Sequence, residues 1–258
     1  MHSGYNWRCR EEGFEGDLAA VSFQSCEGEQ GFRGFGVYDV TNPAQPEKLA
    51  LVATNKAANG SHEIWLDTRG DHAYVYTAII LSELTTSPDF DPETFDATIP
   101  REPDFQIWDV SRPRRPAKAG EWGAWKELGV KPVFEDPNGT FRVNFAHSVI
   151  TAGGHAYVSY WDLGTVILDV RDPARPRFIG RTAFRAHEES NAHSSWLADG
   201  GRVLIQNDED FDPSPDPNGV VETSWGYARY FDISDPAHPG RLTRFELPST
   251  PVSASPPE

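Results

Sequence analysis

A short phrase that occurs four times constrains the fold of this chain more than any other feature. Each copy contains an apolar residue, an Asp, a Val or Ile and two prolines at fixed spacing: YDVTNPAQP (38–46), WDVSRPRRP (108–116), LDVRDPARP (168–176) and FDISDPAHP (231–239). An Asp here can accept backbone amide hydrogens two residues further on, and the prolines remove backbone donors. Because alternating, strand-like sequence flanks each copy, the phrase predicts four equivalent strand–turn–strand units.

A second, weaker phrase precedes three of these units and opens with a histidine. It combines a short strand, a glycine-containing turn and another strand: SHEIWLDTRGDHAYVYT (61–77), AHSVITAGGHAYVSYWD (146–162) and AHSSWLADGGRVLIQND (192–208). The intervals Asp39–His62 and His147–Asp169 are 23 and 22 residues, and their sum of 45 matches the roughly 40–45 residues of a four-stranded propeller blade. No segment has sustained helical periodicity.

These patterns predict an all-β fold, a β-propeller of four-stranded antiparallel blades. About four blades are visible in residues 1–247, the first with a doubtful innermost strand, and residues 248–258 form a Pro/Ser-rich tail that we expect to be disordered. A ring of so few visible blades is expected either to be incomplete or to need another chain to close it.

The four phrases resemble the repeats of the LVIVD-repeat family of bacterial propellers. The segments GDLAAVSFQSC (16–26), AHSVITAGGHAYVSYWD and HSSWLADGGRVLIQNDEDFDP are similar to a mostly secreted subgroup, and the resemblance covers most of residues 16–247. It implies a propeller architecture and an extracellular or cell-surface location, with no established reaction. The family pattern also leads us to expect a signal peptide and earlier blades, but the start MHSGYNWRCREEGFEG lacks the apolar region of a signal peptide.

Composition excludes several classes of function. With 39 acidic and 23 basic residues the formal net charge is −16, which disfavours nucleic acids and anionic membranes as partners. No apolar run approaches the roughly 20 residues of a membrane span. Cys9 and Cys26 can be a disulfide or two free thiols, and no CxxC motif occurs. No GxSxG, phosphate-loop or dinucleotide motif is present, so we expect no organic cofactor.

Long insertions are predicted on a single face of the propeller. Strands alternate in direction, so residues 82–104, 123–145 and 208–226 all connect blades or strands on the face opposite the Asp–Pro turns. Loops on one side of a rigid scaffold commonly carry function. Two of these segments offer alternating carboxylates suited to Ca²⁺: Asp89, Asp91 and Glu93, and Asp208, Asp210 and Asp212. Neither has the glycine of an EF-hand loop, so a solvated acidic loop is the alternative.

The three histidines are expected to lie on the same face, near the central channel. Imidazoles from three adjacent blades can bind a transition metal, whereas the alternative is that each bonds the backbone of a neighbouring blade. The predicted metal ligands are His62, His147, His193, Asp208, Asp210 and Asp212. The predicted polar binding residues are Glu63, Glu189, Asn191 and Asn207.

Three functions are compatible with these patterns. The first is a non-enzymatic binding or scaffold propeller whose acidic loop face takes a cation, a protein or a small molecule. The second is a metal-dependent enzyme in which the three histidines are ligands and Glu63 or Asp208 is the acid–base group. The third is a propeller fragment without independent activity, whose open ends self-associate or aggregate.

Overall fold

A computed structural model of the chain describes nine segments. They are residues 5–8, 14–24, 31–54, 60–80, 103–131, 133–135, 141–184, 191–209 and 226–245. Several predicted features lie outside the described residues: Glu189, Asp210, Asp212, the carboxylates Asp89, Asp91 and Glu93, Cys9, Cys26 and the tail 248–258. The predicted Ca²⁺ ligands are therefore a sequence-based expectation only, apart from Asp208.

The described chain is almost entirely β-structure, arranged in four four-stranded sheets. Blade 1 contains β1 (Tyr5–Arg8), β2 (Glu15–Phe23), β3 (Gly34–Asp39) and β4 (Glu47–Ala53). Blade 2 contains β5 (Ser61–Arg69), β6 (His72–Ile79), β7 (Phe105–Asp109) and β8 (Ala117–Trp122). Blade 3 contains β11 (Ser148–Ala152), β12 (His155–Ser159), β13 (Thr165–Asp169) and β14 (Arg177–Arg181). Blade 4 contains β15 (Ala192–Ala198), β16 (Val203–Asp208), β17 (Ala228–Asp232) and β18 (Gly240–Phe245).

Smaller elements lie between the blades or in their turns. Helix α1 (Ala124–Leu128) and the hairpin of β9 (Val133–Glu135) and β10 (Phe141–Val143) connect blade 2 to blade 3, and a 3₁₀ turn (Asp199–Gly201) joins β15 to β16. None of the helices in the described segments has the length and apolar composition that a membrane crossing requires.

All four sheets are antiparallel meanders with their strands in chain order, as the repeat predicts. Each has a bulge at the same place between its third and fourth strands, directly after Val37, Ile107, Ile167 or Tyr230. The doubtful innermost strand of blade 1 is present as β1, which pairs with β2. The four units found in the sequence are therefore four equivalent blades.

The Asp–Pro turns have the predicted chemistry. Asp39, Asp109, Asp169 and Asp232 each accept, through Oδ1, a hydrogen bond of 2.8–3.0 Å from the amide two residues on. The residue after each Asp then donates to a carbonyl at the start of its blade's second strand, for example Val170 N–H to Gly154 O at 2.9 Å. These bonds place the Asp–Pro turns and the glycine turns on the same face of the molecule.

The core lies between successive blades. Blades 1 and 2 enclose Leu18, Phe35, Val37, Ile64, Leu66 and Val75. Blades 2 and 3 enclose Tyr76, Phe105, Ile107, Val149, Val158 and Leu168. Blades 3 and 4 enclose Tyr157, Ile167, Leu204, Phe231 and Ile233. Burial of these apolar faces is the main force that stacks one blade on the next.

Glycines let the outer edge of one blade approach the Asp–Pro turn of the next. A Cβ atom on Gly120 of blade 2 would lie 2.1 Å from Pro173 O of blade 3, and one on Gly180 of blade 3 would lie 2.4 Å from Pro236 O of blade 4. Within the described segments, no extensive contact joins blade 4 to blade 1, so a closed ring is not detected.

Candidate functional site

Histidines from three consecutive blades meet on the face opposite the Asp–Pro turns. His62 lies in β5, His147 directly before β11 and His193 in β15. The ring centroids of His62 and His147 are 4.3 Å apart, and those of His147 and His193 are 4.0 Å apart. The structure therefore brings together the three imidazoles that the sequence pattern singled out.

Bulges in the backbone orient the rings of His62 and His193. The register of β5 against β6 shifts between Ser61 and Glu63, and that of β15 against β16 shifts between Ala192 and Ser194. His62 and His193 are thus the extra residues of two equivalent bulges. A bulge interrupts the regular pairing and redirects the side chain beside it, which is why bulges are common next to functional sites.

His147 is fixed by three contacts. Its amide donates to Ser159 O at 2.8 Å, and its Nδ1 lies 2.9 Å from His193 O, so Nδ1 carries the hydrogen and donates it. This tautomer leaves Nε2 with a free lone pair, as in many metal-binding histidines. The ring of Trp161 packs against His147, with 5.4 Å between the ring centroids. Trp161 has a φ of 45°, which non-glycine residues seldom adopt.

Glu209 completes the group, although the sequence analysis did not select it. Its amide donates to Asn191 O at 2.8 Å, and its Oε2 lies 3.1 Å from His193 Nε2. Oε2 is buried, yet within the described segments no donor reaches it with hydrogen-bond geometry. One ligand atom each from His147, His193 and Glu209 all lie within 4.8 Å of one another.

Burial sets the protonation of this group. It lowers the pKa of His147 to about 3, with further lowering by His62 and His193, and it lowers the pKa of His62 to about 4, with a smaller effect of His193. Both rings are therefore neutral at neutral pH, which is the form that binds metals. Burial also raises the pKa of the Glu209 and Glu63 carboxyls, opposed in both cases by His193.

The other predicted site residues have different surroundings. Asp208 forms an ion pair with Arg229, both side chains being 2% exposed, and its Oδ1 accepts a hydrogen bond from Gln206 Nε2 at 2.7 Å. Asn191 is buried and contributes its carbonyl to Glu209. Asn207 is exposed and donates to Ser194 Oγ at 3.3 Å. These contacts place Asp208 in a structural ion pair, whereas Glu209 faces the imidazoles.

His62 stands at the edge of the group. Its Nδ1 contacts Gln24 Oε1 of blade 1, which fixes the ring with Nδ1 as the donor. His147, His193 and Glu209 then form a set of two nitrogen ligands and one oxygen ligand, with His62 beside it. We refer to these four residues as the histidine–glutamate cluster. Imidazole and carboxylate ligands suit divalent transition metals, and three protein ligands leave a coordination position for another molecule.

Comparisons with known proteins agree with the repeat and add no activity. Residues 145–183, most of blade 3, match the profile of the LVIVD repeat. No curated protein sequence is significantly similar to the chain. The GH32 β-fructofuranosidase of Bombyx mori is 13% identical with a TM-score of 0.46, over 90% of this chain and 47% of that chain. The periplasmic gluconolactonase of Pseudomonas aeruginosa is 12% identical with a TM-score of 0.44, over 89% and 67%.

These structural likenesses are too distant to indicate what this chain does, and the chain spans about half the length of the first of them. The description of the fold depends instead on the repeat itself. The four Asp–Pro phrases, the four equivalent four-stranded sheets and the match over residues 145–183 all describe the same unit. The chain is a protein of β-propeller fold that carries the LVIVD repeat.

Proposed function

We propose that this propeller is a non-enzymatic binding or scaffold protein that holds a divalent transition metal ion in its histidine–glutamate cluster. The observation that carries the proposal is the buried Oε2 of Glu209, which faces His193 Nε2 at 3.1 Å without a hydrogen bond. A buried carboxylate oxygen that accepts no hydrogen bond is costly, and a cation bound by both of these atoms would reduce that cost.

The rest of the loop face favours a cation as well. The chain has a formal net charge of −16, and such a field concentrates cations near the surface. Residues 82–104 and 208–226, which hold the predicted Ca²⁺ ligands, connect strands on this same face. We therefore include in the proposal a Ca²⁺ ion in the acidic segments and a protein or small-molecule ligand on the loop face. The proposal also includes an extracellular location, because the sequence resembles the mostly secreted LVIVD proteins.

The proposal is tested by measuring metal content by ICP-MS and metal affinity by calorimetry on the full chain. We expect about one transition metal ion per chain. His193→Gln and Glu209→Gln should each weaken binding by at least the roughly 10–100-fold that loss of a supporting partner costs. His238→Gln is the matched control, because this exposed imidazole lies in the Asp–Pro turn of blade 4, on the opposite face.

Two results would contradict the proposal. One is the absence of binding of Zn²⁺, Cu²⁺, Ni²⁺ and Co²⁺, with thermal unfolding unchanged by these ions or by EDTA. The other is an equal loss of affinity in His238→Gln, which would mean that the metal binds surface histidines in general.

A metal-dependent enzyme is the second candidate, and Glu63 is the observation that favours it. Glu63 follows His62 in the bulge of β5, and its carboxyl has a pKa raised by burial, as in groups that exchange protons during catalysis. If the protein is an enzyme, Glu63→Gln should retain the metal and lose turnover in a screen of hydrolase and oxidase substrates. If it is a binding protein, no substrate is turned over and the variant binds metal as the wild type does.

A further inference from the structure

Each of the first three blades presents an apolar row to the blade that follows it, and that blade buries the row. In blade 3 the cross-strand pairs align Ile150, Tyr157, Ile167 and Gly180. In blade 2 the same pairs align Trp65, Tyr76, Ile107 and Gly120. The central members of these rows are buried under the next blade. We call the face of a blade that points toward the next blade in the chain its trailing face, and the face toward the preceding blade its leading face. The trailing face of each of these blades is an apolar surface that another blade buries.

Blade 4 has such a row as well, and within the described segments only its inner end meets another blade, since Trp196 packs edge-on against Trp65 of blade 2 at 6.1 Å between ring centroids. The corresponding residues are Trp196, Ile205, Tyr230 and Thr243. Trp196 is 54% exposed, and Phe245, in the neighbouring row, is 56% exposed. Ile205 and Tyr230 are only half-buried, in contrast to their buried counterparts in blade 3. The trailing face of blade 4 thus has the composition of an interface and the exposure of a surface.

The opposite end of the stack has a matching open surface, the leading face of blade 1. In blades 2 and 3 the leading face is buried by the preceding blade. In blade 1 it contains Val21, Phe23 and Tyr38, which are half-buried, and Leu51, which is 44% exposed. Phe32, 38% exposed, packs edge-on against Phe23 at 5.8 Å and extends this surface.

We propose that the trailing face of blade 4 docks on the leading face of blade 1 in a second copy of this chain. The contact would continue, from one chain to the next, the stacking that already joins blades within the chain. Two copies that meet in this way at both ends would close a ring of eight blades, which is within the usual range of about four to eight. The interface is heterologous, since two different surfaces meet, and closure follows from the twofold relation of the copies.

The outermost strand of blade 4 limits the extent of this interface. Blades 2 and 3 have Gly120 and Gly180 where they meet the next Asp–Pro turn, but blade 4 has Thr243 at the equivalent position. A side chain there prevents the close backbone approach seen inside the chain. We therefore place the interface on the three inner strands of blade 4, with Ile205 and Tyr230 at its centre.

The test is the oligomeric state of the full chain, measured by light scattering coupled to size-exclusion chromatography over a wide range of concentration. We expect a dimer, which Tyr230→Glu and Leu51→Glu each convert to a monomer. Leu128→Glu, in helix α1 and 37% exposed, is the matched control and should leave the dimer intact. Circular dichroism of each variant distinguishes dissociation from unfolding.

Mixing the two monomeric variants tests the head-to-tail arrangement. The Tyr230→Glu chain keeps an intact leading face and the Leu51→Glu chain keeps an intact trailing face, so an equimolar mixture should regain one interface and form a heterodimer. Added salt should strengthen association, because each copy has a net charge of −16 that salt screens.

Three outcomes would overturn the proposal. A wild-type chain that is a folded monomer at every concentration has no such interface. A dimer that Leu51→Glu leaves intact joins two identical surfaces instead of the two ends. Association that weakens with salt is driven by charge and does not arise from these apolar faces.

Discussion

Replacing Asp208 by Asn separates two roles that the sequence could not distinguish. In the structure, Asp208 is the partner of Arg229, whose guanidinium is sandwiched near the rings of Phe184 and Tyr227, at 5.2 and 5.5 Å. Both charged side chains are 2% exposed. Removal of the carboxylate takes the Asp208 charge away from a buried guanidinium, and breaking a buried ion pair in this way costs about 3–5 kcal/mol.

This loss of unfolding free energy is large enough to measure and small enough for the protein to remain folded. A domain of this size has a free energy of unfolding of about 5–15 kcal/mol. At roughly 2–4 °C per kcal/mol, Asp208→Asn should lower the melting temperature by about 6–20 °C. Because Glu209, not Asp208, faces His193, the metal affinity of the folded variant should be unchanged.

Urea denaturation and metal calorimetry of the variant check both parts of this prediction. Asp199→Asn is the control, because its ion pair with Arg202 is mostly exposed and should contribute no more than about 1 kcal/mol. The double variant Asp208→Leu with Arg229→Met should recover much of the lost stability, since it replaces both members of the ion pair by apolar side chains. The reasoning is refuted if Asp208→Asn keeps the stability of the wild type and loses the metal.

Two further predictions concern the contacts between blades. Gly180→Ala should lower the free energy of unfolding by about 1–3 kcal/mol, because its Cβ would lie 2.4 Å from Pro236 O. Gly240→Ala is the control and should be neutral in the same thermal melts, because no atom lies within 4 Å of its Cβ. Equal effects of the two substitutions would contradict the close approach at Gly180. Burial raises the pKa of Asp104 to about 6 from 3.8, so the native state holds this proton more tightly than the unfolded state, and stability from this carboxyl falls as pH rises from about 4 to about 6. In urea titrations, Asp104→Asn should reduce the change in unfolding free energy over this pH range by up to about 3 kcal/mol. Parallel pH profiles of the variant and the wild type would contradict this role of Asp104.

The repeat made the blade architecture predictable. Asp39 and its three equivalents specify the turn by their own hydrogen bonds, so four similar phrases were enough to locate four pairs of outer strands. The innermost strand β1 was harder to identify, because six residues separate YNWR (5–8) from β2, whereas two to four residues join the corresponding strands of the other blades. The pairing of β1 with β2 was therefore evident only in the structure.

The candidate site was only partly predictable, for a reason of register. In NDED (207–210) neighbouring residues point to opposite sides, and the sequence does not say which carboxylate is on the side of the imidazoles. The ladder decides it: Asp208 pairs with Ala192, and Glu209 is held by Asn191. Arg229 lies 21 residues from Asp208, after a long insertion, so nothing local in the sequence pointed to their ion pair.

Three departures from regular geometry, in addition to the bulge that all four blades share, lie at the histidine–glutamate cluster. Blade 2 has its bulge at His62, blade 4 has an equivalent bulge at His193, and Trp161 of blade 3 takes a left-handed conformation beside His147. Each irregularity costs ladder hydrogen bonds or backbone energy of order 1–3 kcal/mol. They are not part of the common blade, whose shared bulge lies between the third and fourth strands. Three blades that deviate at the same place support the proposal that the cluster binds a ligand.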